Sequence, residues 1–211
     1  VRHQGSGKSA HDWLAEASPD TSSTELDQLV AQEALAKLAA HRAMHPETRL
    51  ILPLGAGSIV DADFANWLAV ALRAAGVPAE AVTLALAHRS VSANLKQATQ
   101  LAERIAALGC QLCITEVHGA NNPLPDLLHL RPQFARIAED LVPALGDADS
   151  TNAELKPLLE ALHREQIASI MPRVQSASLL AVLWQLGVNF IQGDYLQAAQ
   201  PQMQYEFSDV A

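Results

Sequence analysis

Six short apolar runs alternate with amphipathic segments along this chain, and that alternation constrains its fold more than any other feature. The runs are Arg49–Leu54, Ala81–Ala87, Cys110–Thr115, Leu127–Arg131, Ile167–Met171 and Val188–Ile191, each read as a buried strand, the fourth a weak one ending at Pro132. Between them apolar residues recur at helical spacing: Leu26, Val30, Ala34 and Leu38; Phe64, Leu68 and Leu72; Leu95, Leu101, Ile105 and Leu108; Leu155, Leu158, Leu159 and Leu162; Leu179, Leu180, Leu183 and Leu186. Ser22-x-x-Glu25 and Thr151-x-x-Glu154 read as capping boxes, and Asp61 and Ser176 as N-caps. Gly76, Gly109 and Gly187 sit where helices should stop, one helix is expected over Ser92–Leu108, and a short one within Gln133–Leu141. Strands alternating with helices imply a parallel sheet with helices outside, either an open doubly wound sheet or a barrel. Length does not choose between them.

At 211 residues the chain fills one core. Hydrophobic residues make up 49%, yet no run is long enough to span a membrane. A net charge of −9 with only 14 Lys and Arg excludes a nucleic-acid duplex or an anionic membrane as the natural partner. A small anion can still be held by one or two local arginines. Residues 1–23 read as a loop with a short apolar piece at Trp13-Leu14. Val1-Arg2-His3-Gln4 forms no signal-peptide pattern and lacks an initiating Met, so a cytoplasmic fragment of something longer is expected. Cys110 and Cys113, three apart in a strand, point to opposite faces and read as buried free thiols. His41 and His45 have helical ligand spacing, but HRAMH lacks a zincin glutamate and reads as a helix end. Trp67 and Trp184 sit at core spacing, and Asn121-Asn122-Pro123 reads as a turn.

The last third is the most specific. It runs Pro172-Arg173-Val174-Gln175-Ser176-Ala177-Ser178, then Leu183-Trp184, then Gln192-Gly193-Asp194-Tyr195-Leu196-Gln197 and Tyr205–Ser208. These residues resemble the A-E-G-V-E-T and Q-G-Y-L-F motifs of EAL domains, which hydrolyse or sense cyclic di-GMP. The narrower likeness is to a degenerate EAL domain of FimX-type regulators of the type IV pilus and twitching motility. The likeness covers nearly the whole chain and implies one domain, 1–211, with the fold of a modified TIM-type (β/α)8 barrel whose first strand or strands precede Val1. Glu33-Ala34-Leu35 spells the family's name but lies mid-helix, in the family helix of form L-D-R-W-V-L-R-E-A-L. The true signature and its arginine are expected just before residue 1.

The resemblance also implies what has been lost. The family's enzymes hold two divalent cations on carboxylates and an Asn. The Asn of V-N-L-S falls on Pro53, and the two Glu of L-E-I-T-E fall on Ala85 and His88. The paired Asp of D-D-F-G fall on Thr115 and Glu116, and the first Glu of E-G-V-E falls on Pro172. L-K-I-D-R-S-F is aligned with Leu128–Phe134, which puts its Lys on His129 and its Asp on Arg131. Glu116 and Arg131 are then expected to pair where the metals would be, solvated strand-end charges being the plainer alternative. The expected activity is not hydrolysis but metal-independent reception of cyclic di-GMP through Arg2, Arg173, Gln175 and Gln192, relayed to a PilZ-type adaptor. A nucleotide-independent scaffold is the alternative, favoured by Gln175 and Val117, which depart from the family's Glu and Phe.

Overall fold

The structure, a computed structural model, describes residues 23–142 and 152–197 together with Gln200 and Met203. In chain order it comprises α1 (Ser23–Arg42), β1 (Leu50–Leu54), α2 (Ala56–Val60), α3 (Phe64–Ala75), β2 (Val82–Ala87), α4 (His88–Ala93) and α5 (Leu95–Leu108). There follow β3 (Gln111–Val117), α6 (Leu124–Leu130), β4 (Phe134–Ile137), α7 (Asn152–Arg164), β5 (Ala168–Met171), α8 (Ala177–Gln185) and β6 (Phe190–Ile191). All strand pairs are parallel, and the six strands lie in the sheet in chain order. A doubly wound sheet reverses its order at a switch point, and this one never does. Right-handed crossovers that all step the same way put the helices on one face and let the other curl inward. The result is a half-barrel of the (β/α)8 kind.

The two faces hold different cores. Val82, Leu84 and Leu86 of β2 join Leu35, Leu38, Phe64, Leu68, Ile105, Leu155 and Leu162 in the large core between sheet and helices. Ala85, one step out of phase, meets Cys113, Ile170 and Phe134 on the concave face. Cys110 belongs to the first core and Cys113 to the second, as their spacing requires. Gly76, Gly109 and Gly187 take φ of 66°, 89° and 73° and end α3, α5 and α8 where the sequence placed the stops.

Four expectations change. The helix over Ser92–Leu108 is broken at Asn94 into α4 and α5. Leu127–Arg131 is not a strand: Leu124–Leu130 is helical, because Leu127 and Leu130, one turn apart, bury together while Leu128 is exposed. The strand lies further on, within the expected helix Gln133–Leu141. There Ala135 and Ile137 are buried and Phe134 and Arg136 half-buried, the period of two that a sheet imposes. Trp184 is not a core residue but 81% exposed on α8, whose fully buried side chain is Leu183, although Trp67 does pack on the large core. Ser22, Thr151, Trp13-Leu14 and Tyr205–Ser208 lie outside the described residues.

Candidate functional site

The C-terminal ends of β5 and β6 are tied together by backbone. Gln192 N–H donates to Met171 O at 2.8 Å, Val174 N–H to Gln192 O at 2.9 Å and Tyr195 N–H to Val174 O at 3.2 Å. Gly193 makes this crossing possible, since a Cβ there would fall inside contact distance of Val174 N and O and 2.7 Å from its carbonyl carbon. Val174 is fully buried and Pro172 buried, so the turn exposes its odd-numbered neighbours, Arg173 and Gln175, beside the exposed Gln192. Three of the four expected ligand residues therefore share one rim, whereas Arg2 lies outside the described residues.

Arg173 holds a left-handed backbone, φ 53°, uncommon for a residue with a side chain. Its Nη1 stands 3.7 Å from Glu139 Oε2, and Glu139 Oε1 accepts a 2.6 Å hydrogen bond from Arg136 Nη2. Arg136 rises from the concave face of β4, and its Nε is buried without a partner among the described residues. The sequence reading, which sets the family's L-K-I-D-R-S-F on Leu128–Phe134, does not find Arg136 and Glu139. With β4 starting at Phe134, the motif falls on Ala135–Leu141, its Lys on Arg136 and its Asp on Ala138. The period-two pattern Phe134-Ala135-Arg136-Ile137 was the signal available.

That shift also undoes the expected Glu116–Arg131 pair. Arg131 caps the C-terminal end of α6 at φ 49° and lies before β4, where Gln133 N–H donates to Leu112 O near the start of β3. Glu116 is at the other end of β3, in a register irregularity, at φ 57°. The two charges sit at opposite ends of the sheet. Glu116 faces Arg89 instead, Oε2 to Nε at 3.5 Å.

Two further clusters fasten the strand ends. His88 Nε2 lies 3.1 Å from Asp126 Oδ2, and Ser92 Oγ donates to the same oxygen at 2.6 Å while standing 3.3 Å from His88 Nε2. A hydrolytic relay needs serine and carboxylate on different ring nitrogens. Here both face one nitrogen, so the trio clamps α4 to α6 and is no nucleophile. Asp27 Oδ2 accepts from Gly55 N–H at 2.7 Å and Ser58 Oγ at 2.6 Å, joining α1 to the end of β1. Burial raises its pKa above the ordinary carboxylate value, against the lowering effect of those two bonds. On the concave face burial pushes the Cys113 thiol up to about 12, with Arg136 partly opposing; in the core on the other side of the sheet burial pushes the Cys110 thiol up to about 11.

The family model for the EAL domain matches residues 2–199. The chain belongs to the EAL-domain family. It superimposes on the crystal structure of a FimX EAL domain with a TM-score of 0.89 at 36% identity, covering 97% of this chain and 82% of that one. The FimX EAL domain from Pseudomonas aeruginosa bound to c-di-GMP aligns at a TM-score of 0.81 and 37% identity, over 88% and 74% of the two chains. The Xanthomonas citri FimX EAL domain in complex with c-diGMP shares the fold, with a TM-score of 0.87 at 23% identity over 99% and 82%. A curated relative from Thiocystis violacea, an uncharacterized 76.5 kDa protein in the phbC 3′ region, is 22% identical over 88% of this chain, which spans about a quarter (26%) of that protein.

Proposed function

We propose that residues 1–211 form one catalytically inactive EAL domain that receives cyclic di-GMP at the C-terminal strand ends without a metal. Similarity to the c-di-GMP-bound FimX domain supports the choice of ligand. The observation that carries the reading is the convergence of Arg136 and Arg173 on one carboxylate at the rim, because a ligand with two phosphates needs local cations on a chain of net charge −9. Gln175 and Gln192 on the same rim offer amide groups to a base edge, and Arg2 is a further candidate phosphate partner.

The two divalent cations of the family's enzymes do not fit this donor set. Pro53 and Pro172 present rings, Ala85 a buried methyl, and Ala138 stands where the motif places an Asp. Glu116 is the one carboxylate among these positions, too few oxygen donors to hold two cations. The domain would act in the cytoplasm, passing the bound state to a PilZ-type adaptor in control of the type IV pilus; no helix among the described residues is long and apolar enough to cross a membrane. One observation favours the nucleotide-independent scaffold: Val117, where the family has an aromatic, is fully buried and offers a ligand nothing. Calorimetric titration of cyclic di-GMP in chelator separates the readings. Saturable binding, weakened at least tenfold in both Arg136→Ala and Arg173→Ala, is expected; undetectable binding by the folded parent leaves the scaffold.

A further inference from the structure

We infer that Glu139 is a built-in competitor for the arginine pair, an internal anion that an incoming phosphate group must displace. The inference rests on the proposed reading that a phosphate-bearing ligand enters at this rim, and it names the residue that sets affinity there. Glu139 opens the 3-10 turn directly after β4, so its side chain stands over the strand end that carries Arg136. Its two oxygens are divided, Oε1 to Arg136 Nη2 at 2.6 Å and Oε2 facing Arg173 Nη1 at 3.7 Å. Both guanidinium groups thus converge on one carboxylate. A phosphate that takes up the same two nitrogens, Arg136 Nη2 and Arg173 Nη1, takes that carboxylate's place.

The hold is firm enough to compete and weak enough to yield. Arg136 is engaged through one nitrogen and not the Nε/Nη2 fork that a bidentate anion uses, its Nε having no partner among the described residues. The Arg173 contact is longer than a hydrogen bond and acts through charge alone. The side chains of Arg136, Glu139 and Arg173 are 26%, 47% and 60% exposed, so each pair is screened by water. Among the described residues no other side chain holds the Glu139 carboxylate in place once a stronger anion arrives. If it served instead to position the arginines, its removal would weaken binding, and the two roles predict opposite signs.

The test compares the parent, Glu139→Gln and the double variant Arg136→Ala/Glu139→Gln, each confirmed folded by its urea transition. Two probes are titrated in chelator: cyclic di-GMP by calorimetry and inorganic pyrophosphate by thermal shift. Glu139→Gln is expected to bind both about fivefold tighter, the scale of a screened pair released, and the double variant to lose that gain. Unchanged or weaker pyrophosphate binding by Glu139→Gln, including no binding to either protein, overturns the inference. Pyrophosphate binding that tightens while cyclic di-GMP binds neither protein overturns the nucleotide reading alone.

Discussion

Replacing Gly193 by alanine puts one methyl group where the β5 and β6 ends cross. That Cβ would sit within contact distance of Val174 N and O and 2.7 Å from its carbonyl carbon, all backbone atoms with no side-chain rotation to relieve them. Relief requires the segments to part, which stretches the Val174 N–H to Gln192 O bond of 2.9 Å and the Tyr195 N–H to Val174 O bond of 3.2 Å. Two backbone hydrogen bonds contribute about 1–3 kcal/mol together, and forced overpacking costs a similar amount. Gly193→Ala should therefore lose about 2–6 kcal/mol in urea unfolding. Gly76→Ala is the control: nothing lies within 4 Å of its added Cβ, and only the φ of +66° is strained, at about 1 kcal/mol. The rim should suffer with the fold, so nucleotide affinity should fall in Gly193→Ala and stay at the parent's value in Gly76→Ala. A Gly193→Ala protein as stable as Gly76→Ala would refute the close-approach argument.

Asp27 accepts both of its hydrogen bonds on one oxygen, so Asp27→Asn can keep them, whereas Asp27→Ala should lose about 2–3 kcal/mol. Because burial raises its folded pKa, the native state holds the proton more tightly than the unfolded chain, and this stabilising contribution is lost as pH rises from the ordinary carboxylate value through the raised one. Urea midpoints across that window should show Asp27→Asn gaining on the parent as pH rises; a parallel pair of curves would contradict the burial argument. With thiols raised to about 11 and about 12 and both side chains buried, Cys110 and Cys113 should show no fast reaction with a disulfide reagent at pH 8 and two equivalents in urea. Rapid labelling of the folded protein would place a thiol at the surface.

Much of the architecture is legible because local rules and tertiary packing agree in most elements. Leu68 and Leu72 repeat on the buried side of α3, and Gly76 and Gly109 stop helices in the left-handed conformation that only glycine adopts without cost. The fourth strand was misplaced because it is four residues long and half its side chains face the concave side, one of them an arginine, while Leu127 to Leu130 offered the greasier run. That error displaced the motif register and hid Arg136 and Glu139, which only the strand's true start brings beside Arg173. Trp184 shows the opposite limit: α8 is apolar almost all round, so periodicity does not tell which side the sheet covers. Gly193 was visible as part of a motif, but the reason for glycine, the backbone of Val174, is a contact between segments about twenty residues apart.

The central claim, reception of cyclic di-GMP without turnover, meets its most direct test in one titration run twice. Cyclic di-GMP is added to the folded protein once with chelator and once with excess manganese, and the nucleotide is recovered afterwards and resolved by ion-exchange chromatography. The account predicts equal saturable binding heat in both runs and complete recovery of the intact cyclic dinucleotide. Linear product in the manganese run, absent with chelator, would contradict it.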